Sequence, residues 1–235
     1  MSSHRGIRQY LIFDGDDTLW ENNVYFERAI DDFIAYLDHS TFSPVEVRAV
    51  LDEIERANTK VHGYGALSFA RSLRECYEHL HQRHLDEHEL TTVMGLAERI
   101  LSQPTELIAG VEETLSDLGS RHDLALVTKG HHEEQRLKIE RSGLDGFFAR
   151  TFVVPEKSET VYRSVVADLA IPPEAAWMIG NSPRSDINPA LAAGMNAAFI
   201  PHDQTWILEH EELAAPVPPR RLLVLNRFTE LGDHF

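Results

Sequence analysis

The feature that most constrains the fold is a short apolar segment, Tyr10 to Phe13, which ends directly in the acidic residues Asp14, Asp16 and Asp17. A continuous apolar run is typical of a strand buried on both faces of a parallel sheet. In open α/β sheets, ligands bind in the crevice at the carboxyl ends of the strands. Asp14 and Asp16 are two residues apart, so both side chains leave an extended backbone on the same side. The segment therefore predicts a site at a strand end.

The next part of the chain, from about Asn22 to Gln103, has apolar residues at helical spacing and no strand pattern. The segment Ser43-Pro44-Val45-Glu46 is a good helix start, because Ser can cap the helix, Pro suits its first position and Glu can close a capping box. Four amphipathic helices with short connections predict a small bundle that ends at Pro104.

From Leu107 onward the pattern alternates between strands and helices, which predicts parallel βαβ units in a doubly wound sheet. The first strand must then pair with strands that follow the helical block. We therefore expect an α/β core made of residues 1–19 and 105–235, with residues 20–104 inserted as a helical domain. The predicted later strands are 124–127, 151–154, 176–179, 197–200 and 222–225, and the predicted later helices are 111–118, 133–142, 159–169 and 189–193.

Composition limits the possible partners and location. The 235 residues carry a net charge of −16, from 38 acidic and 22 basic residues, which argues against non-specific binding to nucleic acid or anionic lipid. The apolar runs are far shorter than the roughly 20 residues that a membrane-spanning helix needs. Met1 to Gln9 is polar, and Cys76 is the single cysteine, so we expect a cytoplasmic protein.

The segment from Asp14 to Leu19, Asp-Gly-Asp-Asp-Thr-Leu, resembles the first motif of the haloacid dehalogenase (HAD) superfamily of phosphotransferases. An EF-hand calcium loop does not fit, because it needs Gly at the sixth position and Glu at the twelfth, where this chain has Leu19 and Tyr25. The insertion of helices just after the motif is similar to the capped members of the superfamily. The resemblance implies a Rossmann-like core with an inserted helical cap.

The resemblance also implies roles for the first two carboxylates. Asp14 would be the nucleophile that takes the phosphoryl group as an aspartyl phosphate. Asp16 would be the general acid for the leaving oxygen and then the base that activates water. For the first of these roles we expect Asp16 to hold a proton near neutral pH, which burial and neighbouring carboxylates favour. Haloacid dehalogenases proper lack this second Asp, so its presence argues for phosphoryl transfer.

Later segments match further motifs. Thr128 matches the hydroxyl residue that binds a phosphoryl oxygen, and Lys129 and Gly130, which follow it, are further candidate substrate-binding residues. Lys157, ahead of a helix, matches the lysine that neutralises the phosphoryl group, although Lys129 competes for that role.

The segment from Gly180 to Asp186 resembles the acidic metal-binding loop. Asp186, Asp14 and the backbone carbonyl of Asp16 would hold Mg²⁺. Asn181 departs from the pattern because it replaces an acidic residue, yet its amide oxygen can still bind the ion or a metal-bound water. Asp17 also departs, since many members have Gly there.

We therefore expect a Mg²⁺-dependent phosphatase that acts on a small-molecule phosphate ester, with no nucleic-acid or membrane partner, as a monomer or weak homodimer. The alternatives are a phosphomutase and a catalytically weak binding protein. Substrate selection is assigned to the helical insertion, where Tyr64, in the loop His62-Gly63-Tyr64-Gly65, is a candidate substrate-binding residue. A plain helix connector is the other interpretation of this loop.

Overall fold

We describe the protein from a computed structural model, in which residues 8–37, 41–81 and 86–235 are described. Its contacts form two compact units. The α/β unit comprises Met1–Glu21 and Thr105–Phe235, and the helical unit comprises Asn22–Pro104. The assignment of these units to a core domain and a cap domain stays a prediction, and each unit is described by itself.

The helical unit contains the helices α1 (Asn23–Leu37), α2 (Pro44–His62), α3 (Ala66–Leu80) and α4 (Glu87–Glu98), followed by a 3₁₀ turn (Arg99–Ser102). The capping box predicted at Ser43 and Glu46 is present at the start of α2. Apolar side chains from the four helices are buried together, among them Phe33, Leu51 and Leu73. Within the described residues, no helix is both long and apolar enough to span a bilayer.

The α/β unit is built on six strands: β1 (Tyr10–Phe13), β2 (Asp123–Lys129), β3 (Arg150–Val154), β4 (Ala176–Gly180), β5 (Asn196–Phe199) and β6 (Leu222–Val224). They form one sheet in the order β3-β2-β1-β4-β5-β6, and every neighbouring pair is parallel. The strand β1 lies between β2 and β4, so the prediction that the first strand pairs with much later strands is confirmed. The doubly wound parallel sheet is confirmed as well.

Helices cover both faces of this sheet. They are α5 (Val111–Gly119), α6 (His132–Ser142), α7 (Glu159–Asp168) and α8 (Asn188–Ala192). Leu11 and Phe13 on β1 pack with residues of α5, whereas Ile12 packs on the opposite face with residues of α7. This alternation follows from the two-residue period of a strand. A strand covered on both faces has no polar side, which explains the continuous apolar run.

Most predicted strand bounds differ from the structure by one residue, and two differences have a clear physical reason. The strand β2 extends to Asp123, which pairs with Tyr10 on β1, and to Lys129, which pairs with Val154 on β3. A π-helical turn, Pro183–Ile187, precedes α8 and was not predicted. Its Ile187 amide donates to the Ser182 carbonyl across five residues, a pattern that helical periodicity does not reveal.

Candidate active site

The strand ends bring several of the predicted site residues to one edge of the sheet. Asp14 follows β1, and its amide donates to the Ile179 carbonyl on β4 at 2.9 Å, which extends the strand pairing by one residue. Thr128 lies near the end of β2, and Asn181 directly follows β4. Carboxyl ends of parallel strands meet at the same edge. The topology of the sheet therefore accounts for the position of this cluster.

Asp14, Lys157 and Asp186 form a buried ionic cluster. The Lys157 Nζ lies 2.5 Å from Asp14 Oδ1 and 2.6 Å from Asp186 Oδ1. The exposed fractions of the three side chains are 2% for Lys157, 8% for Asp14 and 1% for Asp186. Lys157 comes from the loop before α7, so residues from three distant parts of the sequence meet here. Lys157 is thus positioned against the predicted nucleophile, and its contact with a phosphoryl group stays a prediction.

Burial and the charges in this cluster shift the pKa values of Asp14 and Lys157. Burial, followed by the Asp186 charge, raises the pKa of Asp14 to about 7, against the opposing effect of Lys157. Burial alone would lower the pKa of Lys157, but the Asp14 and Asp186 carboxylates raise it well above its usual value. Two buried carboxylates thus share one ammonium, which leaves an excess of negative charge.

The Asp186 carboxylate is fixed by the loop that carries it. Its Oδ2 accepts a hydrogen bond from the Ser182 amide at 2.9 Å. A Cβ atom on Gly180 would lie 2.2 Å from the same oxygen, so only glycine leaves room for this carboxylate. The glycine at the end of β4 is therefore needed for the position of Asp186.

Thr18 connects the first loop to Asn181. The Thr18 hydroxyl lies 3.2 Å from Asp14 Oδ2 and 3.3 Å from Asn181 Oδ1. It accepts a hydrogen bond from the backbone N–H of Asn181 at 3.1 Å. The Asn181 Nδ2 donates to the Thr205 hydroxyl at 3.1 Å. Asn181 is thus held beside the Asp14 loop, and its predicted role at the metal stays a prediction. Asp17 has a left-handed φ of 58°, a conformation that Asp tolerates better than most residues, which accounts for its place where Gly is common.

Asp16 lies in a different environment from Asp14. Its Oδ1 accepts from Trp20 Nε1 at 2.7 Å and its Oδ2 from Gln135 Nε2 at 2.8 Å, while Lys138 Nζ contacts both oxygens at 2.9 and 2.8 Å. Burial would raise the pKa of Asp16, but the Lys138 charge and these hydrogen bonds outweigh burial and lower the pKa. The expectation that Asp16 holds a proton near neutral pH is therefore wrong for this structure, because donors and not carboxylates surround it.

The Gln135 side chain, which contacts Asp16, also lies next to Thr128 and Gly130. The fully buried Thr128 hydroxyl donates to Gln135 Oε1 at 3.0 Å. The Gly130 amide donates to the Val154 carbonyl at 3.1 Å, so in this structure it is not available to a phosphoryl oxygen. The roles of Thr128 and Gly130 in substrate binding stay predictions.

The Lys129 side chain contacts Glu209 and Ser185, and not Asp14. Its Nζ contacts Glu209 Oε1 at 2.6 Å and the Ser185 hydroxyl at 2.9 Å. Ser182 also donates to Glu209, at 2.6 Å. Lys129 therefore ties Glu209 to the loop that carries Asp186. The structure places Lys157, and not Lys129, against Asp14.

Tyr64 and a small acidic cluster with His202 lie outside the contacts described so far. Tyr64 lies in the connection between α2 and α3 of the helical unit, and its proposed contact with substrate stays a prediction. Asp17, Glu21 and His202 each offer one possible metal-ligand atom, with all of these atoms within 4.8 Å of one another. His202 Nε2 lies 3.2 Å from Glu21 Oε2, and its Nδ1 accepts from the Gln204 amide at 3.2 Å. The hydrogen bond at Nδ1 and the contact of Nε2 with the Glu21 carboxylate give His202 partners within the protein.

Sequence reasoning missed Thr18, Trp20, Gln135 and Lys138. A signal for the last two was available, since α6 places Gln135, Lys138 and Ile139 at the spacing of one helix face. Polar residues on the face that carries the buried Ile139 indicate a polar partner beneath the helix. The identity of that partner, Asp16, depends on the tertiary structure.

Comparisons with known proteins identify the family of this chain. The family model described as haloacid dehalogenase-like hydrolase matches residues 9–194. A haloacid dehalogenase-like family hydrolase from Xanthomonas campestris is 31% identical and superposes with a TM-score of 0.81, covering 97% of this chain and 94% of that chain. This protein belongs to the haloacid dehalogenase-like hydrolase family. A comparison with curated protein sequences found no match.

More distant structures share the HAD fold. YfnB from Bacillus subtilis, solved with magnesium bound, is 19% identical with a TM-score of 0.66, covering 97% of this chain and 99% of that chain. A 2-haloacid dehalogenase from Pseudomonas syringae is 20% identical with a TM-score of 0.61, covering 97% of each chain. Similarity at these identities shows a shared fold only. The reaction of this HAD protein therefore has to be inferred from its own residues.

Proposed function

We propose that this HAD protein is a Mg²⁺-dependent phosphatase that hydrolyses a small-molecule phosphate monoester through an aspartyl phosphate on Asp14. The observation that carries the proposal is the presence of two carboxylates with different environments on one loop. Asp14 contacts Lys157, whereas Asp16 contacts Lys138 and Gln135. A nucleophile with a separate acid–base group is what hydrolysis of a phosphate ester in two steps requires.

In the first step, an Asp14 oxygen attacks phosphorus, the bond from phosphorus to the ester oxygen breaks, and Asp16 gives a proton to that oxygen. The negative charge of a bound phosphate ester favours protonation of Asp16, which compensates for its lowered pKa. In the second step, Asp16 accepts a proton from water, the water oxygen attacks phosphorus, and the bond to Asp14 breaks. Phosphate and the original carboxylate result.

The residues present suit Mg²⁺. The carboxylates of Asp14 and Asp186 and the backbone carbonyl of Asp16 would hold the ion, and oxygen donors are what Mg²⁺ prefers. The contacts support this assignment, because the two buried carboxylates of Asp14 and Asp186 share the one ammonium of Lys157. Bound Mg²⁺ supplies positive charge against the phosphoryl oxygens.

Substrate selectivity is proposed to come from the helical unit, with Tyr64 as the candidate residue. Tyr64→Ala should then change relative kcat/KM values among phosphate esters while preserving hydrolysis of a small aryl phosphate. An equal loss on every substrate would indicate a folding defect, and no change on any would remove Tyr64 from the site.

The proposal is tested with a panel of phosphate esters and a 2-haloacid, each assayed with Mg²⁺ and with a chelator. We expect phosphate release that depends on Mg²⁺ and is abolished in Asp14→Asn, and no halide release. Halide release from the 2-haloacid would favour a dehalogenase. Substantial phosphatase activity in Asp14→Asn would exclude the aspartyl-phosphate mechanism.

A further inference from the structure

One face of α6 is directed at Asp16. Gln135 and Lys138 are three residues apart, so they are neighbours on the helix surface. Gln135 Nε2 reaches Asp16 Oδ2 at 2.8 Å, and Lys138 Nζ lies within 2.9 Å of both carboxylate oxygens. Two side chains of one helix thus hold a carboxylate of the β1 loop, more than a hundred residues earlier in the sequence.

The donors that hold Asp16 come from two parts of the chain. Trp20, on the same loop as Asp16, donates to Oδ1 at 2.7 Å, while the donors of α6 contact both oxygens. A carboxylate with donors on both oxygens cannot rotate about its Cβ–Cγ bond without breaking hydrogen bonds. The orientation of Asp16 therefore depends on α6.

The orientation of the Gln135 amide is also determined. A carboxylate only accepts hydrogen bonds, so the amide nitrogen has to face Asp16 and the amide oxygen has to face Thr128. The Thr128 hydroxyl donates to that oxygen at 3.0 Å. A Cβ atom on Gly130 would lie 3.0 Å from Gln135 Nε2, so the glycine lets the amide lie against the backbone. Gln135 thus links Asp16 to Thr128.

We propose that Gln135 and Lys138 are positioning residues that orient the Asp16 carboxylate for its acid–base work, an inference that rests on the proposed phosphatase function. A contribution to stability alone does not explain the arrangement well. The Lys138 and Asp16 side chains are 24% and 21% exposed, and ion pairs in contact with solvent add little to stability. Positioning, in contrast, needs donors at defined places.

The test compares two substrates in the full-length protein at saturating Mg²⁺. An alkyl phosphate has a poor leaving group that needs a proton, whereas 2,4-dinitrophenyl phosphate has a leaving group that departs without one. The ratio kcat/KM includes departure of the leaving group and not the later hydrolysis of a phosphoenzyme. Lys138→Met should lower kcat/KM for the alkyl phosphate by about tenfold or more, a part of the 10²- to 10⁴-fold typical of acid–base help. For the dinitrophenyl ester it should stay within about twofold of wild type.

Two further variants serve as controls. Lys138→Arg keeps donors for both oxygens and should restore most of the alkyl phosphate activity. Arg136→Met removes a cation that is 53% exposed on the same helix and pairs with Glu133 and Glu140, so it should leave both substrates unchanged. Lys138→Gln, which keeps a polar side chain, replaces Lys138→Met if thermal denaturation shows that the Met variant is unfolded.

Equal losses on the two esters, or no loss on either, would overturn the positioning role. Failure of Lys138→Arg to restore activity would also count against it. Wild-type protein that hydrolyses neither ester would overturn the proposed function, and this inference with it, and that result is distinct from an effect confined to the variants.

Discussion

Two glutamates with little solvent exposure, one in each unit, have opposite electrostatic properties. In the α/β unit, burial alone would raise the pKa of Glu209, but Lys129 and hydrogen bonds from Ser182 lower it to about 2. In the helical unit, burial and the charge of Asp52 raise the pKa of Glu55 to about 8. Glu55 Oε2 is buried and has no hydrogen-bond partner among the described residues. Burial is common to both, so the donors determine the sign of the shift.

The two units differ in whether their carboxylates have cations or hydrogen-bond donors beside them. Around the strand ends of the α/β unit, each of Asp14, Asp16, Asp186 and Glu209 has a cation or hydrogen-bond donors. Near Glu55, Arg48 is already committed to Glu27 and Asp52, at 2.5 and 2.8 Å. Asp16 and Glu209 are thus kept charged by their donors, whereas Glu55 is held neutral at pH 7.

The largest expected effect tests whether this difference reflects function. Asp16→Asn should lower turnover of phosphate esters by about 10²- to 10⁴-fold or more, because it removes the acid–base group. Glu55→Gln should leave turnover close to wild type, since a neutral Glu and Gln are alike in shape and charge. Steady-state assays of the two variants provide the comparison. A similar loss in both would show that the distinction between the two units is wrong.

The next effect concerns the stability of the ionic cluster. Lys157→Met removes the side-chain cation that pairs with both Asp14 and Asp186. Loss of one partner of a buried ion pair typically costs about 3–5 kcal/mol, because the remaining charge is left buried. Urea denaturation without Mg²⁺ measures the change in the free energy of unfolding. Exposed Arg163→Met is the control, and an equal loss in both variants would contradict the assignment.

The pH dependence of stability gives a smaller effect with a definite sign. The folded pKa of Glu55 is raised from the usual 4.5 to about 8, so the folded state binds a proton more tightly than the unfolded state. Its contribution to stability is complete below about pH 4.5 and is lost as the pH rises towards 8. The change is at most about 1.4 kcal/mol per pH unit.

Glu55→Gln should therefore match wild type near pH 5 and be more stable than wild type at pH 9. Thermal denaturation as a function of pH measures this difference. Curves that stay parallel over the whole range would show that Glu55 does not ionise in the way that its surroundings indicate.

The smallest expected effect is at Asn181, where a neutral amide lies beside Thr18. Asn181→Asp adds a negative charge near the carboxylates and should lower the Mg²⁺ concentration for half-maximal activity by a few-fold. The gain is limited because the amide donor to Thr205 is lost. An unchanged or higher Mg²⁺ requirement would place Asn181 outside the influence of the metal.

Much of the fold could be predicted from local patterns. The apolar run at Tyr10 to Phe13 predicts a central strand, and that strand lies between β2 and β4. The capping box at Ser43 was also evident, because its two residues, Ser43 and Glu46, lie only three positions apart in the sequence. The π-helical turn at Pro183–Ile187 was not, since it depends on backbone hydrogen bonds that span five residues.

The candidate site was predictable only in part. The carboxylates and Lys157 follow from motifs, and the structure brings Asp14, Lys157 and Asp186 together. The environment of Asp16 could not be predicted, because its donors on α6 are brought near by the pairing of β1 with β2. A sequence identifies which groups can ionise, whereas the tertiary structure sets their pKa values.

The most direct test of the account is to trap the intermediate. Asp16→Asn protein is mixed with Mg²⁺ and 2,4-dinitrophenyl phosphate, whose leaving group needs no acid, quenched in acid, digested and analysed by mass spectrometry. Because the base for hydrolysis is absent, the account predicts a phosphoryl group that accumulates on the peptide containing Asp14, and no such product when Asp14 is also replaced by Asn. Release of dinitrophenol with the Asp14 peptide unmodified throughout, or a phosphoryl group on another residue, would contradict it.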